Sequence, residues 1–268
     1  MEDFYLPSLF QNDDYIKRSY FVDGEKYDLL SLNAACTDHD LTGLIIWPIS
    51  EYLAWFVARK VNLSEKSCIE LGAGSGLPGI VASKKAKYVV LTDGNELVLS
   101  LLERNLALNR GDHKQEVRRV CWGERSSVEG FTDYFDCVLG ADVVAWPNSI
   151  EPLLQTVTAI LATDGAFYCG FVVRALSTER LFFQKAQEFG FVVIEHDDTF
   201  LRTSLFSEDN DATPNHKVDN IPASIRCTTQ KLRVLELRFR DPLSVKRPLS
   251  FISDHPEDNK WLHASLAC

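Results

Sequence analysis

The 268-residue sequence lacks several patterns that would assign its chemistry at once. Its seven cysteines, at positions 36, 68, 121, 137, 169, 227 and 268, form no C-x-x-C pair. Several lie inside apolar runs where a small buried thiol fits, which points to a reducing compartment. The six histidines show neither H-E-x-x-H spacing nor a Cys/His cluster, so no metal is expected. No uncharged apolar stretch reaches the roughly 18 residues of a membrane span. The opening MEDFYLPSLFQNDD has neither a basic leader nor a long apolar segment. Basic residues are the minority: 28 Lys and Arg against 38 Asp and Glu give a net charge of −10, which opposes attraction to nucleic acid or to an anionic membrane. These absences describe a soluble intracellular protein, cytoplasmic with the nucleus as the alternative.

What is present suits a sizeable core, since 46% of residues are hydrophobic and 25% charged. Residues 1–62 read as an N-terminal extension. YIKRSYFVD and KYDLLSL are strand-like and flank a turn at Gly24, so they form a hairpin. TGLIIWPISEYLAWFVARK follows, with Pro48 suited to a helix's first turn and Leu53, Phe56 and Val57 at helical spacing. From Lys66 the chain alternates: SCIEL, LPGIVASKKA, YVVLTD, ELVLSLLERNLALN, EVRRVCW, FDCVLGAD, SIEPLLQTVTAIL, GAFYCGFVV and TERLFFQKAQEFG. Strands and helices in turn imply an α/β domain with a parallel sheet, spanning 63–240. Two late strands, FVVIEHDDTFL and KLRVLELRF, enclose a polar stretch, 207–230, longer than ordinary loops and read as a flexible insertion. Residues 241–268 form a Pro- and charge-rich tail that Trp261 and Leu262 could anchor.

The sharpest local feature is Glu70-Leu71-Gly72-Ala73-Gly74-Ser75-Gly76-Leu77-Pro78-Gly79, after an apolar strand and before a helix. Alternate glycines allow a tight turn in which backbone and ligand come close, with helix N–H groups beyond it. A dinucleotide fingerprint would need glycine at position 77, where leucine stands, which weakens a nicotinamide reading and a dehydrogenase with it. At the tip of the next strand, Asp93 can accept hydrogen bonds from both hydroxyls of a ribose. The plainer reading is a turn at Asp93-Gly94-Asn95 that caps the following helix. Trp122, in Cys121-Trp122-Gly123-Glu124, can cover an adenine face or simply fill the core, and Trp47 poses the same choice.

Together these segments resemble the family 16 methyltransferase-like proteins, the seven-β-strand group of lysine methyltransferases. The resemblance runs from about Thr42 to Phe171 through TGLIIWPISEYLA, ELGAGSGLPGIVA, LTDGNELVLSLLERNLALN, CWGE and FDCVLGADVV. It implies a class I Rossmann-like fold: a seven-stranded, mostly parallel sheet with an antiparallel last strand, helices on both faces and an N-terminal hairpin. It implies S-adenosyl-L-methionine as cofactor, held by Trp47, Gly72, Ala73, Gly74, Asp93, Trp122 and Ala141, with Glu70 as the acid that opens the loop. The family places an aromatic residue three positions after the acid of strand four. Here Asp142 is followed by Val143-Val144-Ala145, and Trp146 comes one place later.

The resemblance further implies N-methylation of a lysine on a protein partner. The cofactor's sulfonium makes its methyl group electrophilic, so the protein has mainly to align the acceptor and exclude water. An amine with a free pKa of about 10.4 must first lose a proton, which burial and a carboxylate assist. Asp142 is the candidate for orienting that amine; its plainer role is to close the turn after strand four. N-P-P-[YFW], typical of nucleic-acid amino-methyltransferases, is absent there. The alternatives are a small-molecule N-methyltransferase and a non-catalytic, cofactor-binding interaction protein. The sequence leaves the oligomeric state open.

Overall fold

The alternating apolar runs form a seven-stranded sheet in the computed structural model, which describes residues 15–32, 39–111, 113–131, 134–197, 201, 225 and 231–242. The strands are β3 (Ser67–Glu70), β4 (Tyr88–Asp93), β5 (Lys114–Arg119), β6 (Phe135–Ala141), β7 (Leu161–Val172), β8 (Phe191–His196) and β9 (Leu232–Phe239). Their order across the sheet is β5-β4-β3-β6-β7-β9-β8. Pairing is parallel from β5 through β7, and β9 runs antiparallel to both neighbours. The expected antiparallel last strand is therefore present.

Successive residues of the central strands face opposite layers, as a pleated strand requires. Val89 and Leu91 pack into one core and Val90 into the other; Cys68 and Ile69 divide in the same way. Helices α1 (Pro48–Lys60), α2 (Leu77–Ala82) and α3 (Glu96–Leu108) contribute to the first core. Helices α5 (Pro147–Ile160) and α6 (Leu176–Glu188), with the short α4 (Arg125–Val128), contribute to the second. Burial on both faces explains why these strands read as continuous apolar runs rather than alternating ones. Pro48 occupies the first turn of α1, where its missing N–H costs nothing.

The N-terminal hairpin pairs β1 (Tyr15–Val22) with β2 (Glu25–Leu32). Asp23 and Gly24 both have positive φ, 51° and 88°, as a two-residue primed turn demands. β2 buries Tyr27, Leu29 and Ser31 and docks on α3 through two asparagines one helical turn apart. Asn109 accepts from Asp28 N at 3.0 Å and donates to Asp28 O at 2.7 Å. Asn105 does the same for Leu30, at 2.7 and 3.0 Å. Each amide thus copies the pairing of a neighbouring strand.

Of the stretch 207–230 only Ile225 is described, and it is buried; the rest of that stretch and the tail with Trp261 and Leu262 lie outside the described residues.

Candidate active site

The parallel strand order reverses direction about β3: β4 and β5 lie on one side, β6 and β7 on the other. Open α/β sheets bind ligands at such a switch point, outside the carboxyl ends of the strands. A cavity of about 420 Å³ opens there, walled by the loops that follow β3, β4, β5, β6 and β7 and by residues preceding α1.

The glycine loop forms its floor. Gly72, Gly74 and Gly76 all have positive φ, at 62°, 54° and 87°. A Cβ on Gly72 would stand 2.9 Å from the Trp122 ring, and one on Gly74 would stand 3.0 Å from the Gly43 carbonyl. Only glycine therefore satisfies both the backbone conformation and the close approach. The loop is fixed to its neighbours by Leu71 N to Leu139 O at 2.9 Å and Ala73 N to Thr92 O at 2.8 Å.

Asp93, at the end of β4, stands on the cavity wall. Its carboxylate accepts from Gly74 N and from Asn95 N, each at 3.1 Å. Burial raises its pKa, opposed by the backbone N–H groups of Asn95, Gly74 and Gly94. The turn reading of Asp93-Gly94-Asn95 holds as well, but the cap of α3 is Asn95, whose side chain accepts from Leu97 N at 2.9 Å. Asp93 is left on the wall.

Gly72, Ala73, Gly74, Trp47, Trp122 and Ala141 also line the cavity. Trp122 lies beyond the end of β5, which stops at Arg119 rather than running on through the indole. A turn at Gly123, φ 78°, carries the chain away from the strand. The Trp47 indole donates to Thr42 O at 3.1 Å, which orients it at the start of α1.

Glu70 is fully buried and is not among the residues that line the cavity. Its Oε2 accepts from Gly79 N at 2.8 Å, so this first-turn donor of α2 serves the carboxyl rather than a ligand. The side chain thereby ties the end of β3 to the first turn of α2, across the glycine loop. Burial, opposed by the Gly79 N–H and helped by the Asp93 charge, pushes its pKa up to about 8.

At the other end Asp142 follows β6 in the left-handed region, φ 64°. Its N–H donates to Gly170 O at 2.9 Å, and its carboxylate is held in a two-pronged pair by Arg174. A positive φ at a non-glycine residue stores strain that surrounding contacts must over-determine, a pattern concentrated at functional sites. Ala145 and Trp146 both line the cavity, and the indole is 51% exposed. The ring absent from position 145 is thus supplied to the cavity rim from the next position. Arg174 was not legible in sequence: a lone arginine after an apolar run carries no spacing signal.

Among the described residues no group of three or more His, Cys, Asp or Glu is placed to hold a metal ion, and no helix is long and apolar enough to cross a membrane.

The strand order, the glycine loop after β3 and the acid after β4 define the class I methyltransferase arrangement. The family model described as lysine methyltransferase matches residues 27–189, and the chain belongs to that family. It is 32% identical over 157 residues to the Danio rerio protein N-lysine methyltransferase METTL21A, covering 57% of this chain and 71% of that one. It is 36% identical over 130 residues to Bos taurus protein-lysine methyltransferase METTL21E, covering 44% of this chain and 43% of the relative. Against the Arabidopsis thaliana calmodulin-lysine N-methyltransferase the match is 28% over 207 residues, 71% of this chain and 67% of that one. The chain spans about half the length of several of the curated relatives it matches. Among solved structures, SMU.776, determined in complex with SAH, has a similar fold with a TM-score of 0.54 at 11% identity, covering 85% of this chain and 57% of that one.

The cavity suits an adenosyl ligand with an amino-acid tail. Its glycine floor has no side chains to obstruct the tail, Asp93 offers a carboxylate to a sugar diol, and Trp122 offers a ring face.

Proposed function

We propose that this protein is an S-adenosylmethionine-dependent methyltransferase that N-methylates a lysine side chain of a protein substrate. The observation that carries the reading is the convergence of Gly72, Gly74, Asp93, Trp122 and Asp142 on one cavity at the switch point of the sheet. When bound, S-adenosylmethionine supplies an electrophilic methyl group on a sulfonium. The chain's own task is placement. Gly72, Ala73 and Gly74 would receive the amino-acid end, Asp93 the ribose hydroxyls and Trp122 a face of the adenine, with Trp47 and Ala141 closing the walls. Glu70 positions the loop through Gly79.

On the acceptor side, Asp142 orients the amine and accepts its hydrogen bonds, while Val143, Ala145 and Trp146 line an apolar approach that disfavours the ammonium form. The exposed Trp146 ring provides a surface for the lysine's methylene stem. The names of the relatives favour protein lysine over other acceptors. The net charge of −10 favours a basic protein segment over a nucleic acid. The free thiols of Cys68, Cys137 and Cys169 are in keeping with a reducing compartment.

The test is incubation of the purified chain with methyl-labelled cofactor and cell extract, followed by mapping of the labelled residue. Methyl-lysine in a protein band is the expected product. Label confined to small molecules, or cofactor binding without transfer, would contradict the reading.

A further inference from the structure

Asp142 is not an open carboxylate. Both its oxygens are taken by the two terminal nitrogens of Arg174, and both side chains stand on the cavity wall. Arg174 lies two residues beyond the end of β7, and β7 is the neighbour of β6, so the pair bridges the mouths of adjacent parallel strands. Three strand spacings, roughly 14 Å, separate β7 from β4, whose tip carries Asp93. The guanidinium is therefore at the acceptor end of the cavity, remote from the residues assigned to the ribose.

A lysine brought to Asp142 as an ammonium meets a fixed cation already in place, and like charges at close range oppose its arrival. The conflict disappears if the incoming segment carries its own carboxylate. A guanidinium has five N–H donors in a rigid fork, and it is only a third exposed here, so it can turn to a second carboxylate without leaving the rim. One ion pair is then exchanged for another: Arg174 with the substrate's acid, and Asp142 with the entering amine.

We infer that Arg174 is a specificity-determining residue that selects a lysine accompanied by a neighbouring Asp or Glu, its guanidinium passing from Asp142 to the substrate's carboxylate as the amine enters. The inference rests on the lysine-methyltransferase reading given above. It adds a local demand to the long-range one: the net charge draws a basic segment, and Arg174 requires one acid beside the acceptor. A purely structural pair, needed only to hold Asp142 at φ 64°, would lower transfer to all substrates alike and leave their ranking unchanged.

The test is a peptide library with one fixed lysine and degenerate flanking positions. It is methylated with labelled S-adenosylmethionine by the wild type, Arg174→Gln and Arg174→Glu, and the products are sequenced by mass spectrometry. The wild type is expected to enrich Asp and Glu about fivefold at one flanking position, the upper range for a solvent-accessible ion pair. Arg174→Gln loses that enrichment, Arg174→Glu turns it toward Lys and Arg, and all three bind S-adenosylhomocysteine with equal affinity. A flat wild-type profile, or one that both variants retain, overturns the inference. Should the wild type bind S-adenosylhomocysteine yet label no peptide, the three proteins are compared on mapped sites in cell extract. Methyl-lysine without acidic neighbours there overturns the inference alone, and no methyl-lysine at all overturns the underlying reading and the inference together.

Discussion

Glu70 carries a carboxyl group into the interior, where Oε2 accepts the Gly79 N–H and Oε1 has no hydrogen-bond partner among the described residues. Its pKa rises from 4.5 to about 8 in the folded chain. Between those values the native state keeps a proton that the unfolded state has lost. This group's contribution to stability is therefore greatest below pH 4.5 and falls as pH rises toward 8. Glu70→Gln keeps an acceptor for Gly79 and removes the titration. Denaturant unfolding of the variant from pH 4.5 to 8 is expected to show a flatter decline than the wild type; an identical slope would assign the proton to another group. At Asp142 the positive φ decides which substitution is informative. Asparagine tolerates the left-handed region and keeps the shape, whereas alanine would add strain to the loss of charge. Asp142→Asn is expected to lower methyl transfer by about 10²-fold, the lower range for a group acting directly on a proton in flight, with S-adenosylhomocysteine affinity unchanged. Near-wild-type turnover would remove Asp142 from the reaction.

Helix α3 joins the hairpin to the site. Besides its two bonds to Leu30, the Asn105 amide donates to Ser75 O in the glycine loop at 3.0 Å, so one side chain ties β2 to the cavity floor. Asn105→Ala would leave the Leu30 N–H, the Leu30 carbonyl and the Ser75 carbonyl each short of this partner. A loss of about 1–3 kcal/mol of stability is expected. It should be accompanied by faster amide hydrogen exchange at Leu30 and unchanged exchange at Val138 in β6. Full protection of Leu30 in the variant would show that the clamp does not hold the hairpin. Little of this was legible beforehand. The hairpin itself is readable from its two strand-like runs and the Gly24 turn, but a side chain pairing with a backbone 75 residues away leaves no local pattern. The run EVRRVCW predicts a strand through Trp122, whereas β5 ends at Arg119: apolar Val120 and Cys121 continue its pattern after the chain has left the sheet.

For the whole molecule, sheet class and helix order were readable because the central strands are buried on both faces and the parallel crossovers need helices, so composition alternates with structure. Most of the cavity wall was readable for a related reason: glycines at positive φ and an acid at a strand tip are local necessities of a close-approach loop. Two parts of the site were not. The adjacency of Glu70 to the loop does not reveal that its carboxyl is buried against Gly79 N rather than lining the cavity. Arg174 became visible only once β6 and β7 lay side by side. Both belong to tertiary placement: Glu70 meets Gly79, and Arg174 meets Asp142, only in the folded chain.

All of these roles presuppose that the switch-point cavity holds an adenosyl ligand, which isothermal titration of the purified chain with S-adenosylhomocysteine tests most directly. One-to-one saturable binding is expected for the wild type. Asp93→Ala should weaken it by about 1–3 kcal/mol through loss of charge-assisted hydrogen bonds to the ribose. Absence of binding heat with the wild type across several temperatures, or equal affinity in the variant, would contradict the assignment.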